Sequence, residues 1–242
     1  MKQLAALVVA ATSIALVPSA AHAAAGVRCF HTSAPYKSYA PVNPRCASGY
    51  ALVDLKAGTA QVLTVTNWLQ TRTWARLNAW HIVNGSWVHR WGPWSARIGA
   101  GGFASPGRKI EGDSLTPQGS YGFQFMFGVY ANPGVHFRWR HAYRYDYWDD
   151  DPASARYNLW TNINNANAGA NPEPMHQLPV YSYSAVIAYN TARVPGKGSA
   201  IFLHVGDGQA TAGCVSLPRS RLLTIIRWLR PGSHPVITME FL

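Results

Sequence analysis

The regular alternation of apolar and polar positions begins after residue 59. In Gln61-Val62-Leu63-Thr64-Val65-Thr66 the two kinds of side chain largely alternate, which is the period of a strand with one covered face. Arg76-Leu77-Asn78-Ala79-Trp80-His81-Ile82 and Trp87-Val88-His89-Arg90 flank Asn84-Gly85. Both residues of that dipeptide tolerate positive φ, so the stretch predicts a hairpin closed by a tight turn. Short strands punctuated by Gly and Pro continue through Tyr121–Val129, and Ala200-Ile201-Phe202-Leu203 is a compact apolar strand that delivers His204. Two stretches read as helical. Arg219 to Leu229 repeats Leu222, Leu223, Ile226 and Leu229 on one face, with Ser216 or Ser220 as cap and Pro231-Gly232 as stop. Asp151 to Asn164 predicts a short helix opening on Asp151-Pro152, with Pro in the first turn. Together these elements predict a mainly β, sandwich-like single domain with one or two short helices.

The first residues read as a removable address. Lys2 precedes the apolar run Leu4 to Val17, and Ala21-His22-Ala23 supplies the small residues a signal peptidase needs. Residues 1–23 are therefore expected to be a signal peptide and the protein to be exported, to the cell wall or beyond. The run is too short to be a stable spanning helix, and no second stretch is long enough to cross a membrane. Residues 24–59 read as an N-terminal extension, with Pro35, Pro41 and Pro44 and no helical or strand pattern, and residues 60–242 as the folded domain.

Charge narrows the partners. With 21 Lys and Arg against 10 Asp and Glu the chain carries +11, of which +10 remains once Lys2 leaves with the signal. Outside the membrane that excess suits anionic wall polymers or anionic lipid; scattered basic residues without a run argue against nucleic acid. A basic surface without a specific partner explains the number equally well. Three cysteines, Cys29, Cys46 and Cys214, leave an odd thiol in an oxidising compartment. A local Cys29–Cys46 bridge would staple the extension and leave Cys214 unpaired, although Cys214 could instead pair with either of the others.

Cys214 has the surroundings of a nucleophile. From His204 runs the loop Val205-Gly206-Asp207-Gly208-Gln209-Ala210-Thr211-Ala212-Gly213, and Cys214-Val215-Ser216-Leu217-Pro218 follows. A thiol with its usual pKa of about 8.5 is mostly protonated at neutral pH. A nearby imidazole can take that proton and return it to a leaving amine, while a tight Gly-Cys turn can offer backbone N–H groups to an oxyanion. On the residues alone, a small buried cysteine and a strand-end histidine are equally good readings. His204, Asp207 and Cys214 make a thin ligand set for zinc.

Three stretches resemble the L,D-transpeptidase catalytic domain, the YkuD-type family. They are Ile201-Phe202-Leu203-His204 with Thr211-Ala212-Gly213-Cys214-Val215, Glu111-Gly112-Asp113-Ser114-Leu115-Thr116-Pro117-Gln118-Gly119-Ser120-Tyr121, and Trp94-Ser95-Ala96-Arg97-Ile98-Gly99. The resemblance implies a β-sandwich-like fold and an enzyme without metal or organic cofactor. It would hold a peptidoglycan stem tetrapeptide as a thioester and pass it to an amine, and a carbapenem would acylate the same thiol. It further implies Cys214 as nucleophile, His204 as general base and acid, Gly213 and Cys214 N–H groups as oxyanion hole, and the carbonyl just after His204 as orienter of its ring. Thr211 and Ser216 are the candidate substrate contacts. Ala212 stands where most relatives have a second His and Ser216 where many have Arg or Asn, and the loop from His204 to Cys214 is shorter than usual. Two rival functions share the sequence: an L,D-carboxypeptidase or endopeptidase with water as acceptor, and a wall-binding protein with an inert cysteine. A papain-like hydrolase fits less well, because there the Cys generally precedes the His.

Overall fold

The computed structural model describes residues 25–32, 46, 49–163 and 169–242, so the signal peptide expected at 1–23 lies outside the described residues. The domain is mainly β, built on one ten-stranded curled sheet with two smaller sheets against it. The strands are β1 (Gly26–His31), β2 (Tyr50–Leu55), β3 (Gln61–Asn67), β4 (Trp74–Val83), β5 (Ser86–Arg97), β6 (Gly119–Tyr121), β7 (Phe123–Gly128) and β8 (Trp139–His141). They continue as β9 (Asp146–Asp149), β10 (Leu159–Asn162), β11 (Glu173–Pro174), β12 (Ser184–Ile187), β13 (Phe202–Val205), β14 (Val215–Leu217) and β15 (Val236–Phe241). The large sheet runs β6-β15-β3-β4-β5-β14-β13-β12-β7-β8.

One face of that sheet holds the main core. Leu63 and Val65 of β3, Leu77 of β4, Leu203 and Val205 of β13 and Val215 and Leu217 of β14 meet there. Helix α1 (Arg219–Trp228) packs Leu222, Ile225 and Ile226 into the same cluster, followed by Leu229. Each such fully buried aliphatic side chain stabilises the fold by about 1.5–3 kcal/mol. The helix starts after Pro218 without a side-chain cap. Ser216 and Ser220 therefore do not cap it: Ser216 is held in the β14 ladder opposite His204 and Arg97, and Ser220 already lies within the first turn.

The opposite face is covered in two places. β1 and β2 pair along their whole lengths, and Phe30, Val53 and Leu55 pack on Val62 and Val236. A disulfide joins Cys29 to Cys46, 17 residues apart, and Cys214 forms no disulfide. The absence of any strand pattern in the extension is thus corrected, because its apolar residues complete a core that only the folded sheet provides. The same packing corrects the half-buried reading of β3, in which every residue is buried. Elsewhere on this face β9, β10 and β11 form a three-stranded sheet. Trp148, Trp160 and Met175 cluster there with Phe127, Tyr181, Phe202 and Cys214.

The helix expected at 151–164 does not form; turns lead instead into β10. Side-chain oxygens capture the backbone there: Asp151 Oδ1 accepts from Ala153 N–H (2.9 Å), and the Ser154 hydroxyl donates to Asp149 Oδ2 (2.6 Å). Asn158 adopts φ +58°, outside the helical region. The Asn84-Gly85 turn forms as the sequence predicts, with φ of +49° and +80° closing the β4–β5 hairpin.

Candidate active site

β13 and β14 are parallel neighbours, with Leu203 opposite Val215 and His204 opposite Ser216. Residues of one strand alternate faces, so Phe202 and His204 of β13 share a face with Cys214 and Ser216. Cys214, one residue before β14, lies beside Phe202 and diagonally from His204. Both Cys214 and His204 line one cavity of about 320 Å³, and each is only 7% exposed.

The thiol is held by backbone groups. Cys214 Sγ accepts from Phe202 N–H (3.3 Å) and donates to the Ala200 carbonyl (3.2 Å). Burial pushes its pKa up to about 12; the Phe202 N–H opposes that, the charge of Glu173 adds to it, and Lys109 opposes it. His204 Nδ1–H donates to the Val205 carbonyl (2.9 Å), which leaves Nε2 unprotonated as a base. Burial lowers the imidazole pKa, against the Val205 bond and the charge of Asp207. At neutral pH the pair therefore rests as thiol and neutral imidazole. Tyr181 packs edge-on against His204 with ring centroids 5.6 Å apart, and its hydroxyl donates to Glu173 Oε1 (2.9 Å).

The loop between base and thiol is tied to the strands beneath it. Thr211 N–H donates to the Ile98 carbonyl (2.9 Å), and the Thr211 carbonyl accepts from Ala100 N–H (2.8 Å). Thr116 Oγ1 accepts from Gly99 N–H (2.8 Å) and donates to the Gly213 carbonyl (2.9 Å). Gly213 has φ +141°, and a Cβ there would sit 2.9 Å from the Leu115 carbonyl oxygen, so glycine is required.

A model of the L,D-transpeptidase catalytic domain (YkuD) matches residues 48–238. The chain belongs to that family. No curated protein sequence matches this L,D-transpeptidase-family chain. Among solved structures, the helical cell shape determining protein Pgp2 from Campylobacter jejuni is similar at 15% identity and a TM-score of 0.36. The match covers 75% of this chain and 48% of that one, so the chain spans about half of Pgp2. A likeness at that level says nothing of activity.

Three further expected site residues sit in the loop and strand around the thiol of this L,D-transpeptidase-family domain. Gly213 N–H donates to Thr211 Oγ1 (3.1 Å) in the resting loop. Ser216 is 2% exposed, its hydroxyl lies beside Gly206, and it does not line the cavity although it shares a face with His204. Thr211 does reach the cavity, but its hydroxyl already donates to the Cys214 carbonyl (2.7 Å). Ala212 is exposed at the mouth, where its small side chain leaves the opening wide. The sequence offered no signal for Tyr181, Glu173, Gln177 and Ser199, which also line the cavity. Asp150 lines it too, and Asp149 beside it is fully buried. Among the described residues no helix is long and apolar enough to cross a membrane.

Proposed function

We propose that the protein is an exported peptidoglycan L,D-transpeptidase with Cys214 as nucleophile and His204 as general base and acid. The observation that carries this reading is that the thiol and the imidazole line one cavity in a chain belonging to this family. In the resting protein the S–H bond is directed at the Ala200 carbonyl. For proton transfer the S–H must leave that carbonyl for the imidazole, and catalytic hydrogen bonds commonly tighten only when substrate is bound. Burial of the thiol makes a free thiolate costly, so proton transfer accompanies attack.

Sulfur attacks the carbonyl carbon of the third stem residue, and the S–H proton passes to His204 Nε2. The Cys214 N–H is the donor we assign to the oxyanion, since Gly213 N–H is engaged; one such donor is worth about 3–4 kcal/mol of barrier. The carbon–nitrogen bond to the fourth residue then breaks, and imidazolium returns its proton to the departing amine. An acceptor amine attacks the thioester, loses its proton to the imidazole and regenerates the thiol. The net positive charge of +11 suits residence among anionic wall polymers.

Intact-protein mass spectrometry tests this. A tetrapeptide stem and a carbapenem should each add covalently to the wild type and to neither when Cys214→Ala is used. Adding an amine should convert the stem adduct to a cross-linked product. An unmodified wild type that still binds sacculi would make the protein a wall binder, and release of tripeptide despite added amine would make water the acceptor.

A further inference from the structure

We propose that the outer edge of β5, together with α1, is a docking surface for a phosphodiester polymer of the cell wall. Successive phosphates of that polymer bind the guanidinium groups of Arg90 and Arg221. Neither residue lines the Cys214 cavity, and the inference requires only that the protein reaches the wall, not the chemistry proposed above.

The charges of the chain are segregated. No acidic residue stands between Asp54 and Glu111 or between Asp207 and Glu240, and β4, β5 and α1 lie wholly within those two stretches. The excess of +11 therefore falls largely on this side of the fold, with no carboxylate from its own strands or helix to offset it. The edge of β5 is also open. β14, its neighbour away from β4, pairs with it only at Arg97, so among the described residues the edge from Ser86 to Ala96 has no strand partner. Pro93 lacks an N–H, which discourages a further protein strand from adding there.

Side chains along this edge form one line of contacts. The Arg90 guanidinium lies 4.6 Å over the Trp91 ring, Trp91 stacks with Trp94 at 6.2 Å and 21°, and the Arg221 guanidinium lies 5.5 Å over Trp94. Trp228 packs edge-on against Trp91 (5.3 Å), and all three indoles rest on the main core. Stacking on an indole fixes the plane of a guanidinium and leaves its in-plane N–H fork free. Among the described residues neither fork donates a hydrogen bond or joins an ion pair. The other arginines in and after α1 differ. Arg219 donates to the Tyr183 hydroxyl, Arg227 to the Pro133 carbonyl, and Arg230 to the Arg227 and Trp228 carbonyls. Arg90 and Arg221 are thus cations held in place with their donors open.

Chemistry then decides which partner. A fixed guanidinium fork takes an oxyanion through two parallel N–H bonds, and two forks separated by a pair of indoles call for a ligand with repeated negative groups. A phosphodiester chain carries one charge per repeat and has the backbone freedom to meet both. An anionic bilayer fits less well, because docking on one relies on apolar side chains that reach into the lipid. Of the large apolar residues in β5 and α1 only Val88 stands exposed, and the indoles of Trp91 and Trp94 lie half-buried beside the arginines.

The test uses the full chain and fluorescently labelled poly(glycerol phosphate), with binding followed by anisotropy. The wild type should bind, and raising salt from about 50 to 200 mM should weaken binding about tenfold, as two phosphate contacts require. Arg90→Gln with Arg221→Gln should weaken binding at low salt by about tenfold or more and flatten that salt dependence. Arg90→Lys with Arg221→Lys keeps the charge but loses the planar fork. It should bind about threefold or more weakly than wild type, and it serves where the glutamine pair does not fold. Lys56→Gln with Arg138→Gln removes the same charge from exposed positions elsewhere and should change binding by less than about twofold. A wild type that does not bind, or equal weakening by the Lys56 and Arg138 pair, overturns the proposal. So does tighter binding, through the same two arginines, to vesicles of phosphatidylglycerol and phosphatidylcholine, which would make the surface a membrane dock.

Discussion

Thr116→Val removes one oxygen from beneath the nucleophile and almost nothing else. Thr116 is fully buried, and its hydroxyl joins Gly99 N–H to the Gly213 carbonyl, bridging the chain before the site to the residue that precedes Cys214. Valine has nearly the same shape but neither donates nor accepts. It would leave one buried N–H and one buried carbonyl unpaired, at about 1–3 kcal/mol each, or roughly 2–6 kcal/mol in total. Thr116→Ser keeps both bonds and should lose only about 1 kcal/mol for the missing methyl. Urea unfolding followed by tryptophan fluorescence measures this directly. For a domain of this size the valine midpoint should fall by roughly 1–2 M while the slope is unchanged. Loosening of the Gly213–Cys214 peptide should also slow carbapenem acylation by about ten- to a hundredfold. A valine variant within about 0.5 kcal/mol of wild type, or a serine variant as damaged as the valine one, would refute the bridging role.

Further outcomes are expected. With the Cys214 pKa raised from 9.0 to about 12, the thiolate population is lower by three decades. Iodoacetamide should therefore label the folded protein about a thousandfold more slowly than the urea-unfolded chain at pH 7.5, and the folded rate should climb with pH without levelling at pH 8–9. His204→Ala should slow acylation by about a hundredfold or more and, by removing the donor to the buried Val205 carbonyl, cost about 1–3 kcal/mol of stability; acylation at the wild-type rate would move the base elsewhere. Asp150 titrates near 6 in the fold against 3.8 when unperturbed, so its ionised form is disfavoured by folding. Stability owed to its neutral form is present below 3.8 and lost as pH rises through 6. Asp150→Asn should accordingly raise the urea midpoint relative to wild type at pH 8 and not at pH 3.5. Replacing Cys29 and Cys46 together by Ser opens a bridge between residues 17 apart and should cost about 3 kcal/mol by thermal or urea unfolding.

What was legible in the sequence was whatever local chemistry dictates. Asn84-Gly85 tolerates positive φ, so the hairpin followed from two residues, and the apolar face of α1 followed from spacing. The strand that carries His204 and the small-residue loop that leads to Cys214 were legible because both are contiguous signals. Residues 151–164 misled because the Asp and Ser side chains there serve the backbone equally well in turns, and local spacing does not weigh the two. β3 and the extension misled for a different reason: β1 and β2 pair across a long stretch of chain and pack on Val62 of β3, a long-range fact absent from a six-residue window. The carboxylates at 111, 150 and 173 were invisible as a set, since only β9, β11 and the Ile110–Asp113 turn bring them together.

The parallel pairing of β13 and β14 has a consequence for how such enzymes diversify. Backbone ladder bonds, rather than the connecting segment, fix where the imidazole stands relative to the sulfur. Residues 207–210 hang beyond that ladder, exposed to solvent, and can lengthen, shorten or change composition while the reactive partners keep their places. New substrate preferences can then arise by rewriting a rim, with the bond-breaking apparatus inherited intact.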